Sequence, residues 1–120
     1  MADMSFDFRK LDVYKRTLEF ISKANCFCKT SPKLPFFLQN QLKRAALSIL
    51  TNLAEGSGRW HSKDKRYFYL ISRGSVYECV AIIDSCRKVR QGAGEETSGL
   101  LEDLLDITKM LTKLIQRFSN

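Results

Sequence analysis

The residues best suited to chemistry lie in one short stretch, "NLAEGSGRWH", residues 52–61. It holds a carboxylate at Glu55, a hydroxyl at Ser57 between Gly56 and Gly58, the cation of Arg59 and the chain's single histidine, His61. Three chemistries come to mind. A phosphate cradle needs a glycine-rich loop between a strand and a helix, with a lysine followed by serine or threonine, or with a third glycine in a β-α-β unit; here the loop follows a helical pattern and has neither. A serine nucleophile needs a histidine base held by a third group, and nothing in the sequence orients His61. A di-iron centre in a helical bundle needs histidines on two Glu-x-x-His turns, which one histidine cannot supply. Zinc would call on Cys26, Cys28, Cys79 and Cys86, but C-x-C followed by a seven-residue step is not the paired C-x2-C of a structural zinc site. These cysteines read as small buried hydrophobes. The chain therefore reads as a non-enzyme without metal or cofactor, and "NLAEGSGR" as the end of a helix and its turn, closed by glycine in the left-handed conformation.

Charge is the more informative signal. Lysine and arginine total 20 against 13 acids, a net charge of +7, and such a surface attracts polyanions in a salt-dependent way. Through Gln91 there are 17 basic and 8 acidic residues, whereas residues 92–120 hold 3 and 5, so a polyanion-facing surface belongs to the first three-quarters of the chain. Two basic groups stand out. Arg9, Arg16 and Lys23 recur at seven-residue steps on one helical face, with Lys15 beside them; Arg59, Lys63, Lys65 and Arg66 cluster after the glycines, interleaved with Trp60, Tyr67 and Tyr69. Aromatic faces among cations suit single-stranded nucleic acid, and an ordinary solvated surface is the competing reading. Glu55, at a helix C-terminus where the helix dipole disfavours an anion, calls for a nearby cation such as Arg59 or Arg66. With Asn52 and Glu78 it is a candidate for a structural or subunit contact.

The elements that must carry these residues are helices. Phe8, Leu11, Tyr14, Leu18, Ile21 and Ala24 recur at steps of three and four, predicting a helix over 7–28 capped by Asp7 or Ser5. Pro32 and Pro35 then break the chain. Leu38, Leu42, Ala45, Ile49 and Leu53, widened by Ala46 and Leu50, predict a second helix over 36–55. A third, over 63–91, is expected to start at a Ser62 cap with Asp64 in its first turn. Its inward stripe reads Phe68, Ile71, Ser75, Cys79, Ile82, Cys86 and Val89, flanked by Val76, Val80 and Ile83, and Gly74 suggests a tight helix crossing. After a turn in "QGAGEETSG", a fourth over 97–118 presents Leu100, Leu101, Leu104, Ile107, Leu111, Leu114 and Phe118. Four amphipathic helices with short loops make a single-domain, all-α, antiparallel up-down bundle. At 120 residues such a domain buries enough surface to fold without disulfides or metal. No apolar run could span a bilayer and no secretory signal is visible, so a cytoplasmic protein without a membrane partner is expected.

"LKRAALSILTNLAEGSGR" followed by "KDKRYFYLISRGSVYECVAIID" resembles the four-helix-bundle proteins encoded in intervening sequences of bacterial 23S ribosomal RNA genes. The matching positions are Gln41, Arg44, Ala45, Ser48, Ile49, Asn52, Ala54, Glu55, Gly56, Gly74, Ser75 and Glu78, with Leu11, Val13 and Tyr14 earlier; leucine before Thr51 departs from the small residues commoner there. The resemblance implies a bundle that assembles as a homopentamer. The accessory variability protein of diversity-generating retroelements is similar in fold, and by that analogy RNA or DNA and a reverse transcriptase are implied as partners. A basic, oligomeric, non-catalytic nucleic-acid-binding accessory module is the function so implied; a protein-protein interaction or scaffold module without nucleic acid is the alternative.

Overall fold

The structure, a computed structural model, describes residues 6–90 and 94–119. It contains a short 3-10 helix, Asp7–Lys10, and four α-helices: α1, Asp12–Lys29; α2, Phe36–Ser57; α3, Ser62–Val89; and α4, Gly94–Arg117. Each helix packs on its neighbour in the chain and α1 closes on α4, so the four form an antiparallel up-down ring, with the α2–α3 pair the most extensive. No strand occurs among the described residues.

The helix ends differ from the sequence expectations. Residues 7–10 form a 3-10 turn, and Leu11, without a side-chain cap bond, precedes α1; Asp7 is not an α-helix cap, and the alternative, Ser5, lies outside the described residues. His61 occupies the N-cap of α3 without a side-chain bond and Ser62 is its first residue, while Asp64 does stand in the first turn. Fourth-helix residues begin at Gly94 rather than at Thr97, so residues 94–99 of the turn expected in "QGAGEETSG" are helical, and its first three residues, 91–93, lie outside the described residues.

Gly56 does not close α2 in a left-handed conformation. The helix runs on through Ser57, and its C-cap Gly58 is right-handed at φ −82° and ψ −6°. Glycine is needed at 56 for space: a Cβ there would lie 2.9 Å from Cδ1 and Cε1 of Tyr69 and 3.1 Å from the Lys65 carbonyl oxygen. This is the close approach of α2 and α3. It is not at Gly74, which is exposed and where an added Cβ would meet nothing within 4 Å.

The core follows the expected apolar positions of α2 and α4, with Leu42, Ile49, Leu53, Leu104, Ile107 and Leu111 essentially inaccessible. On α3 the buried stripe is Tyr69, Ser72, Ser75, Val76, Cys79, Ile83 and Cys86, which keeps Ser75, Cys79 and Cys86 with the flanking Val76 and Ile83 but shifts toward Tyr69 and Ser72 and leaves Ile71 and Val89 exposed. On α1 the buried positions are Val13, Thr17, Phe20, Ala24, Phe27 and Cys28, whereas Leu18 is exposed. Buried hydroxyls are bonded within the helices or across them. Thr17 Oγ1 donates to the Val13 carbonyl at 2.7 Å, and Ser72 Oγ donates across the seam to the Ile49 carbonyl at 2.6 Å. Cys26 is exposed, against expectation; Cys28, Cys79 and Cys86 are buried and all four are free thiols. Burial, with a smaller effect of Glu78, pushes the Cys79 thiol up to about 12, so it stays protonated and unreactive.

Candidate nucleic-acid interface

The antiparallel order brings the α2–α3 connection to the same end of the bundle as the C-terminus of α4. Arg66 Nε donates to Ser119 Oγ at 2.9 Å, and Lys65 Nζ lies 5.9 Å from the ring centroid of Phe118. Ser62, Lys63, Arg66, Phe118 and Ser119 line a recess of about 360 Å³ there.

The corner itself is held by several bonds. Gly58 donates its amide to the carbonyls of Ala54 and Glu55, and Arg59 to that of Gly56. The Arg59 guanidinium pairs with Glu55 Oε2 at 2.5 Å and lies 4.5 Å from the Phe68 ring centroid. Lys65 Nζ donates to the Ser57 carbonyl at 2.9 Å, and the Ser57 and Tyr69 hydroxyls are 3.0 Å apart. Thus Arg59, one of the two cations expected near Glu55, meets it, and Lys65 satisfies a terminal carbonyl of α2. Ser57 is bonded into the corner, to the Leu53 carbonyl as well as to Tyr69, with no histidine base among those partners.

The seven candidate cations divide by geometry. Lys63 is exposed and forms no ion pair or hydrogen bond among the described residues, and Arg66 uses Nε alone. Trp60, just before α3, is 94% exposed; Tyr67 is exposed also, but Tyr69 is buried and drops out of any surface cluster. The α1 group is different. Arg16 donates to Asp103 Oδ1 at 2.9 Å and to Asp106 Oδ2 at 2.8 Å, and Lys23 donates to Asp103 Oδ2 at 2.9 Å. Two cations face two carboxylates, so the charges of Arg16 and Lys23 are compensated locally. Burial raises the Asp103 carboxyl, yet the bonds from Lys23 and Arg16 outweigh it and hold the group below its ordinary range. Arg9 lies 5.4 Å from the ring centroid of Phe6, in the turn before α1.

Asn52 belongs to the α2–α3 seam. Asn52 Nδ2 donates to the Ser48 carbonyl at 2.9 Å and to Ser48 Oγ at 3.1 Å, and the Ser48 and Ser75 hydroxyls, 2.8 Å apart, link the helices. Glu78 is exposed without an ion pair among the described residues. Sequence reasoning missed Asp103 and Asp106 because their partners lie 80 to 90 residues away; the available signal was the pair of acids at i, i+3 among the leucines of α4. Among the described residues no three of histidine, cysteine, aspartate or glutamate converge as metal ligands, and no helix is long and apolar enough to cross a membrane.

A family model described as 23S rRNA-intervening sequence protein matches residues 9–113. Among solved structures, a crystal structure of a protein with unknown function from the S23 ribosomal protein family of Bacteroides thetaiotaomicron is similar, with a TM-score of 0.78 and 21% identity over 86% of this chain and 97% of that one. That likeness establishes the fold. No curated protein matches.

Proposed function

The chain belongs to the 23S rRNA-intervening sequence protein family, and on that premise we propose that it is a non-catalytic module that binds RNA or DNA through the basic end of its bundle, working as an assembly of identical chains. The observation that carries this reading is the exposure of Lys63 and Arg66 in the first turns of α3, just after the 94% exposed Trp60, at a corner whose other cations are held by the fold. A net charge of +7 concentrates polyanions near such a surface. Arg59 and Lys65 serve as positioning residues, since each bonds to the end of α2.

Assembly is supported by the outward face of α3. Tyr67, Leu70, Ile71 and Tyr77 are exposed around Gly74, and an exposed glycine inside a helix costs about 1 kcal/mol relative to alanine, which close approach of another chain would explain. Arg44 on α2 and Glu78 on α3 are exposed and without ion pairs among the described residues. The resemblance implies five copies and a reverse transcriptase as protein partner. The same face favours the second reading, a scaffold whose partner is protein alone.

Filter binding with the double variant Lys63→Ala, Arg66→Ala tests the interface while leaving the Arg59 and Lys65 bonds intact. Affinity for a 20-nucleotide strand should fall about tenfold or more, with a shallower salt dependence. Undiminished affinity would remove these residues from the interface. Wild-type protein that binds neither RNA nor DNA would leave the scaffold reading standing.

A further inference from the structure

We infer that the ligand of this basic end is a single strand, one of whose bases stacks on Trp60. The inference rests on the nucleic-acid reading above and goes further, because it assigns the strand form and the ring that reads it. An indole is among the largest apolar surfaces a chain can bury, yet Trp60 is 94% exposed. It does not sit on a loose loop. It follows Arg59, whose side chain is fixed by Glu55 and Phe68, and precedes His61, whose carbonyl accepts the Lys65 amide at 3.0 Å as α3 begins. The backbone on both sides of the ring is thus set before any ligand arrives, which lowers the ordering cost of binding. Lys63 and Arg66, three and six residues after Trp60, line a recess of about 360 Å³ with Ser62, Phe118 and Ser119, so cations that can meet a phosphate follow the indole closely along the chain. A duplex cannot use this arrangement without disrupting its own stacks, whereas a single strand offers a free base face.

Trp60 is the only tryptophan, so its fluorescence reports the site directly. Titration with oligo(U), oligo(dT) and a 15-base-pair duplex should quench emission with the single strands and leave it nearly unchanged with the duplex; the two homopolymers distinguish RNA from DNA. Trp60→Ala should lose about tenfold or more in single-strand affinity, Trp60→Phe should retain most of it, and duplex affinity should change little. The inference is overturned if Trp60→Ala binds single strands as wild type does while Lys63→Ala, Arg66→Ala does not, an outcome that leaves the nucleic-acid reading intact. It is overturned equally if the duplex quenches as strongly as the single strand, or if Trp60→Ala alters the oligomeric state instead of affinity. Absence of binding by any oligonucleotide overturns both readings.

Discussion

Gly56 and Gly74 are the same residue type in neighbouring helices under opposite constraints. At 56 a methyl group would meet the Tyr69 ring at 2.9 Å and the Lys65 carbonyl oxygen at 3.1 Å; the ring is buried and hydrogen-bonded to Ser57, and the carbonyl is backbone, so neither yields cheaply. At 74 a methyl group would enter open space. Gly56→Ala should therefore destabilise the bundle by about 1–3 kcal/mol, as overpacking does, while Gly74→Ala should stabilise the isolated chain by about 1 kcal/mol through helix propensity. Urea unfolding of dilute protein measures both, and shifts of the same sign would contradict the contrast. The sequence showed two glycines in a basic, aromatic region but not which was crowded, because the crowding comes from Tyr69 on the next helix.

At the scale of elements, α1 is fixed to α4 by ion pairs as well as by apolar packing. Asp103 is nearly inaccessible, with its side chain 5% exposed, whereas Arg16 and Lys23 reach it from solvent at 33% and 56%. Removing the carboxylate leaves the two cations without their shared acceptor, so Asp103→Asn should cost about 1–3 kcal/mol. The pH dependence has a definite sign. Because the folded carboxyl is held below its ordinary range, the native state keeps Asp103 ionised where the unfolded chain takes up a proton. Its contribution is therefore complete above about pH 5, and it is lost as pH falls through about 4, the unfolded value, toward the lower folded one. The stability difference between wild type and Asp103→Asn, followed by urea unfolding from pH 6 to pH 2.5, should shrink toward acid; a constant difference would mean the carboxylate acts through packing alone. Helix number and order were legible because α2 and α4 each carry one dominant apolar stripe. The rotation of α3 was not. Its apolar residues occupy two adjacent faces, one with Tyr69, Val76 and Ile83 and another with Ile71 and Leu70, and periodicity does not say which faces the core. Ser72 decides in part, because its hydroxyl is bonded to the Ile49 carbonyl, an inward role that polarity alone would not suggest. Likewise the seven-residue spacing of Arg9, Arg16 and Lys23 was visible, whereas the acids that meet Arg16 and Lys23 were on the last helix.

For the whole molecule, the second apolar face of α3 and the basic corner are consequences of one topology, since α3 starts at the corner and carries Leu70, Ile71 and Gly74 within its next three turns. Chains that joined along this face would gather their corners. Five copies of a chain with net charge +7 would carry +35, and a long strand reaching several corners would gain affinity by effective concentration without any new contact. This separates two quantities that a monomer would not. The variant Ile71→Glu, Gly74→Trp places a charge and a large ring on the face while leaving Lys63, Arg66 and Trp60 untouched. It should run as a single chain of 13.8 kDa in light scattering, keep its helical circular dichroism, and bind an eight-nucleotide strand as the wild type does. Its affinity for a strand of about 60 nucleotides should fall by a factor of ten or more. Equal losses on both lengths would mean that the face touches nucleic acid itself, and a wild-type protein that scatters as a single chain would show that this face does not join copies of the chain.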